Sequence, residues 1–151
     1  MMLGKLKEDQ IESLLQQQVT GRIGCYADGE NYIVPVNYVY KNGCIYGHSA
    51  VGKKIKMLRK NPQVCFQVDE IENITNWKSV VAWGVYEEIK DRQEMLGAMQ
   101  EIIRHIMPSI IDPNGHPSHG ITENESDIGS SVDLVLYKIC LNKKTGRFEQ
   151  S

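Results

Sequence analysis

The stretch Arg22–Gly47, RIGCYADGENYIVPVNYVYKNGCIYG, decides the fold. Two turn dipeptides, Asp28-Gly29 and Asn42-Gly43, divide it into three runs rich in β-branched and aromatic residues: Arg22–Ala27, Tyr32–Tyr40 and Cys44–Gly47. A two-residue hairpin needs positive φ at its central positions, which glycine adopts freely and Asp or Asn tolerate. The runs therefore predict an antiparallel meander, since parallel strands would need a long crossover between them. Pro35 has no N–H to give to a ladder, so it places its strand at an edge, a bulge or a gap where the neighbour is not backbone.

On the N-terminal side, Leu6, Ile11, Leu14 and Leu15 fall at near-helical spacing, with Glu8 and Asp9 at the positive end, which predicts a short amphipathic helix over Leu6–Gln18. On the other side, Ser49-Ala50-Val51-Gly52 leads into a basic helix through Lys60, stopped by Asn61-Pro62 because the residue before proline resists the α region. Val64–Val68 alternates as a strand, Asp69–Trp77 reads as a polar loop, and Lys78–Ile89 as a long strand. Arg92–Ile106 carries Met95, Met99, Ile102, Ile103 and Ile106 on one helical face, and Pro108 is expected to end that helix. Residues 108–131, rich in Pro, Gly and Ser, are too long for an ordinary connector and read as a flexible lid or a disordered excursion. Val132–Leu141 is a last strand, with Thr145-Gly146 a late turn. The expectation is one domain over residues 1–151, mainly β: about six strands in a small antiparallel barrel with two or three helices outside it.

Seventeen Lys and Arg against nineteen Asp and Glu leave a formal charge of −2, so no global basic field exists to collect nucleic acid or anionic lipid. No apolar run approaches the ~18 residues of a membrane span, and no basic-then-apolar leader is visible, so a cytoplasmic protein is expected. Cys25, Cys44, Cys65 and Cys140 form no C-x-x-C pair and read as buried free thiols in a reducing compartment, not as a disulfide framework or a zinc site. His116 and His119 have ligand-like spacing but lie in a Pro/Gly/Ser-rich stretch, so a solvated loop is expected there and no metal.

The chemistry concentrates in Gly47–Lys60. Lys53, Lys54, Lys56, Arg59 and Lys60 stand there without one acid, and Lys53 and Lys54 sit where a helix N-terminus disfavours cations. Either these lysines point into water, or an anion resolves the conflict. In the second case the backbone N–H groups after Gly52, the Ser49 hydroxyl and both ammonium groups converge on a phosphate, which glycine lets approach the backbone. Gly47-x-x-x-x-Gly52-Lys53 imitates a nucleotide-hydrolase loop, but Lys54 stands where Ser or Thr would hold magnesium, and the strands are hairpin-linked. A hydrolase is not expected. Asn37 and Tyr38 offer an amide and a phenol beside the gap at Pro35, where a flat aromatic cofactor would fit; alternatively Tyr38 and Tyr40 cover the core.

Val34-Pro35-Val36-Asn37-Tyr38, Ile45-Tyr46-Gly47-His48-Ser49, Gly52-Lys53-Lys54, Asn61-Pro62-x-Val64-Cys65-Phe66 and Trp77-x-Ser79-Val80-Val81-x-x-Gly84 occur in an order and spacing that resembles the pyridoxamine 5′-phosphate oxidase-like flavin-binding split barrels. The nearest branch is the 5-nitroimidazole resistance (Nim-like) proteins. The resemblance implies a six-stranded split barrel and a homodimer with FMN in a groove between subunits. It matches Lys53 and Lys54 to the basic pair on the FMN phosphate, with Ser49 and Gly52 beside them. Val36, Asn37 and Tyr38 match the strand along the isoalloxazine, Ser79 a polar contact to the ring, and His48 a position near its reactive edge. The tail, Val132–Ser151, lacks Trp and has only Arg147, which departs from the oxidases that act on vitamin B6. The implied activity is an FMN-dependent oxidoreductase: a nicotinamide donor such as NADH or NADPH reduces the flavin, which passes electrons to a small planar acceptor such as a nitro compound or quinone, with His48 as proton donor. The alternative is a non-catalytic flavin- or haem-binding protein on the same barrel.

Overall fold

Both turn dipeptides adopt the left-handed conformation their composition demands, with φ of 52° and 80° at Asp28 and Gly29 and of 54° and 78° at Asn42 and Gly43. The computed structural model describes residues 2–110 and 134–151. Within them the chain runs β1 (Met2–Lys5), α1 (Glu8–Gln17), β2 (Thr20–Ala27), β3 (Glu30–Asn37), β4 (Val39–Lys41), β5 (Cys44–Ala50), α2 (Lys53–Lys60), β6 (Gln63–Asn73), β7 (Asn76–Glu88), α3 (Arg92–Ile110) and β8 (Leu134–Gln150). The antiparallel, mainly β class expected from the meander is present, with eight described strands. Two exceed the expected count because β1 pairs with β8, and because the run Tyr32–Tyr40 breaks at Tyr38 into β3 and β4.

The sheet order is β3-β2-β6-β7-β8-β5-β4. Its two terminal strands, β3 and β4, are consecutive in the chain and separated only by Tyr38. The sheet must therefore curl until its edges meet covalently, yet no ladder joins them. The result is a barrel with a seam. Pro35 lies on β3, opposite Arg22 and at the sheet edge, where its missing N–H costs no ladder bond. Tyr38 anchors the corner: its N–H donates to the Val19 carbonyl (3.0 Å), and its hydroxyl donates to the Leu15 carbonyl (2.8 Å).

α1 closes one mouth with Ile11, Leu14 and Leu15, and α2 the other with Ile55, Met57 and Leu58, all in one continuous core. Each such side chain contributes ~1.5–3 kcal/mol on burial, which holds helices this short that would be marginal alone. α3 packs outside, where Ala98, Met99, Ile102 and Ile106 cover Val39 and Leu136. None of the three described helices packs on the outer face of β2, β3, β6 and β7.

Several expectations need correction. Asp69–Asn73 is strand, not loop, because Asn73 Oδ1 accepts from the Thr75 N–H (2.9 Å) and hydroxyl (3.0 Å) and from Asn76 Nδ2 (3.0 Å), closing a tight turn directly onto β7. Thr145-Gly146 is no turn. β8 runs straight through it, and the glycine is there because a Cβ would lie 2.8 Å from Leu6 and 2.9 Å from Ile11. α3 passes Pro108 and ends at Ile110. Cys44 and Cys140, opposite each other on β5 and β8, form a disulfide, leaving Cys25 and Cys65 as free thiols. His116, His119 and the segment 111–131 of the expected lid lie outside the described residues. No described helix is long and apolar enough to cross a membrane, and no described cluster of His, Cys, Asp and Glu could hold a metal.

Candidate functional site

α2 starts at Gly52 without a capping side chain and without an acid in its first turn. The first N–H groups of the helix therefore have no intrahelical acceptor. A Cβ at Gly52 would meet none of the described residues within 4 Å, so there is open space beside the start of the helix.

Three of the five cations are already neutralised. Glu30 pairs with Lys53, Glu88 with Arg59 (2.6 Å) and Asp28 with Lys60 (2.5 Å). Lys53 also lies over the Tyr32 ring, 4.8 Å from its centroid. Lys54 is different. It is half-buried, 5.9 Å from the centroid of the Tyr137 ring, and ion-paired with no carboxylate among the described residues. Burial without a counter-charge pushes its pKa below the ordinary lysine value, with the Cys25 thiol opposing that only in part. Such a cation gains more from an incoming anion than an exposed one does, because the anion restores interactions that burial removed.

Behind Lys54 the Tyr137 hydroxyl is buried with no hydrogen-bond partner among the described residues. The hydroxyl end of its ring overlies Gly47, its opposite number on β5: a Cβ there would stand 2.5 Å from the hydroxyl and 2.6 Å from the ring carbon bearing it. Gly47 is thus the residue that lets the aromatic ring back this mouth of the barrel.

The predicted residues divide between faces, because directly opposed residues in an antiparallel ladder share a face and successive ones alternate. Ser49 faces the interior with Val135, and its hydroxyl donates to the Ala50 carbonyl (2.7 Å). With Gly52, Lys53 and Lys54 it forms the cluster at the α2 mouth. Val36 is buried in the same core. Tyr38, expected along a flat ligand, is a fully buried corner residue in edge contact with Phe66, and its phenol is used by Leu15. Asn37 and Ser79 lie on the outside. Thr20 donates to Asn37 Oδ1 (2.9 Å); Gln67 Nε2 donates to Ser79 Oγ (3.0 Å) and to Asp69 Oδ2 (2.9 Å). Gln67 thereby occupies a lone pair of Ser79 and leaves its O–H to donate elsewhere.

His48, expected as proton donor, is opposite Leu136 and so faces α3, across the strand from Ser49. Burial first, and the positive charge of Lys54 second, lower its pKa from the ordinary value of 6.5. The unfolded chain then binds a proton that the folded chain refuses, so stability should fall as pH drops below the unfolded value and toward the lowered one. Thermal melts between neutral and mildly acidic pH are expected to show this slope in the wild-type chain and to lose it in His48→Gln; an unchanged slope would remove His48 as its source.

Sequence reading missed Glu30, Tyr32 and Cys25 beside the lysines and Gln67 beside Ser79. The two-residue turn fixes the register Ala27↔Glu30 and Cys25↔Tyr32, so the pairing of Cys25 with Tyr32 was available. No local pattern connects Glu30 with Lys53. On the bare outer face, Tyr26, Ile33, Cys65 and Trp83 line an open groove of about 420 Å³.

A sequence profile described as pyridoxamine 5′-phosphate oxidase matches residues 7–136. The chain belongs to the pyridoxamine 5′-phosphate oxidase family. Within this family's fold, an FAD-binding protein of Mesorhizobium loti superimposes with a TM-score of 0.77 at 28% identity, covering 99% of this chain and 100% of its own. A proposed 5-nitroimidazole antibiotic resistance protein of Bacteroides thetaiotaomicron superimposes with a TM-score of 0.73 at 22% identity, covering 98% and 89%. An uncharacterized protein of Rhizobium meliloti (strain 1021) is 26% identical over 147 residues, 97% of this chain and 95% of that protein.

Proposed function

We propose that this family member is an FMN-dependent oxidoreductase acting on small planar acceptors such as nitro compounds or quinones. The observation that carries the flavin part is Lys54, a half-buried ammonium group without a carboxylate among the described residues, beside the free N–H groups and open space at the start of α2. These residues fit a phosphate. Lys54, Lys53, Ser49 and the first N–H groups of α2 would hold it, and the edge of β3, unpaired among the described residues, would offer backbone donors and acceptors to a planar ring system.

A bound flavin supplies the hydride or electron transfer. The chain's own part is to neutralise the phosphate, orient the ring along the seam and keep water from it. Ser79, with its acceptor side engaged by Gln67, is available as a donor to a ring carbonyl. Because Ser79 and Asn37 lie outside while Lys54 lies at the mouth, we propose that two copies complete the site, with exposed Ile33 and Val85 and half-buried Trp83 on the bare face as the surface a second copy would cover. The reading asks no proton transfer of His48, which faces α3.

The test is the purified protein itself. A flavin absorbance is expected after expression or after mixing with FMN, and chromatography of the released chromophore distinguishes FMN from FAD. Anaerobic addition of NADH or NADPH should bleach it, and a nitroimidazole or quinone should restore it. Stable colour without bleaching would favour a non-catalytic flavin carrier, a haem spectrum would favour the haem-binding alternative, and no uptake of FMN would sink the proposal.

A further inference from the structure

Lys53 does not wait for a ligand; it already holds an anion. Its partner, Glu30, is the first residue of β3, while Lys53 follows β5, and no ladder joins those two strands. The ion pair therefore bridges the seam at the α2 mouth, where the phosphate is proposed to bind. The surrounding bonds hold the β2–β3 hairpin against α2 independently: Lys60 pairs with Asp28, and Asn61 Nδ2 donates to the Tyr26 carbonyl (2.9 Å). Neither of these bonds uses Glu30 or Lys53, so the hairpin keeps its place on α2 when Lys53 changes partners.

We infer that Glu30 is an internal stand-in for the phosphate, holding Lys53 across the seam until an anionic ligand displaces it, and so setting how strongly this mouth prefers phosphorylated over uncharged ligands. The inference rests on the flavin phosphate reading. Its physics is an exchange of partners. Both side chains are about half exposed, so their pairing is weak and screened by salt. A phosphate brings more negative charge and three acceptor oxygens, and it engages Lys54 and the helix N–H groups at the same time. A carboxylate on Lys53 alone cannot match that. While Glu30 is in place, however, it repels the incoming group and must be exchanged, which lowers affinity for anions and leaves neutral ligands unaffected.

The test compares wild type with Glu30→Gln, each also in a Lys53→Ala background, using FMN, riboflavin and inorganic phosphate as probes. Glu30→Gln is expected to bind FMN roughly two- to fivefold tighter, with riboflavin unchanged, and the gain should vanish when Lys53 is absent. Equal or weaker FMN binding by Glu30→Gln overturns the inference, and so does a gain that persists without Lys53, which would reflect bulk charge. If wild type takes up no flavin, the flavin reading falls by itself. The phosphate concentration that raises Tm then decides Glu30: a lower requirement in Glu30→Gln upholds the exchange, while the same or a higher one rejects it.

Discussion

Lys54→Ala is expected to weaken FMN binding on the order of 10- to 100-fold, the effect of losing a charge-assisted contact to a partly desolvated anion. Lys53→Ala should cost less, although the two lysines are adjacent in the sequence. The asymmetry follows from their surroundings: Lys53 is exposed and paired with Glu30, whereas Lys54 lies against Tyr137 with its pKa held down by burial. A bound phosphate would raise the Lys54 pKa again. Between the free and bound values, binding must then take up a proton, so affinity should decline as pH rises through the alkaline range, and this decline should be missing in Lys54→Ala. Fluorescence titration of FMN at several pH values measures both. Equal Kd values for Lys54→Ala and wild type would mean that the phosphate does not bind here.

Gly47→Ala is expected to destabilise the fold by about 1–3 kcal/mol, lowering Tm by roughly 3–10 °C for a chain of this size. The added methyl would collide with the hydroxyl and ring of Tyr137, so a buried side chain or the backbone of β5 must shift. Tyr137 is fully buried, and Ile45, two residues before Gly47, is fully buried on the same strand. Gly52→Ala is the matched control. Nothing stands within 4 Å of its Cβ and its φ is −125°, so its melting temperature should stay near that of wild type. A Gly47→Ala variant that melts with wild type would show that Tyr137 is not packed against Gly47. Because that ring also backs Lys54, the same variant is expected to disturb FMN binding.

The parts of this molecule that can be read from sequence are those where one residue type has one conformational reason to be present. Asp28-Gly29 and Asn42-Gly43 fix two hairpins and their registers locally, Pro35 marks an edge, and Asn61-Pro62 ends α2. Where the reason is a distant neighbour, reading fails. Gly146 looks like a turn residue until α1 is seen pressed against it, and Asp69–Asn73 looks like a loop because this stretch of hairpin is largely exposed. The disulfide needs the β5–β8 register, which brings together cysteines 96 positions apart. The site divides in the same way. Ser49, Gly52, Lys53 and Lys54 are a contiguous pattern and were legible, whereas the difference between the two lysines depends on Glu30 and Tyr137, supplied by β3 and β8. His48 and Tyr38 were assigned by position in a pattern, but the alternation of the strand and the break between β3 and β4 give them other surroundings.

The unladdered border of β3 has a hazard that Pro35 reduces. An open strand edge ordinarily invites any extended polypeptide to zip onto it, which is how fibrils and swapped assemblies begin. A ring where the amide hydrogen should be interrupts that recruitment midway along the strand. Such an interruption stops a continuous peptide but hardly affects a small flat molecule needing only one or two contacts, so this border can stay accessible without inviting open-ended strand addition.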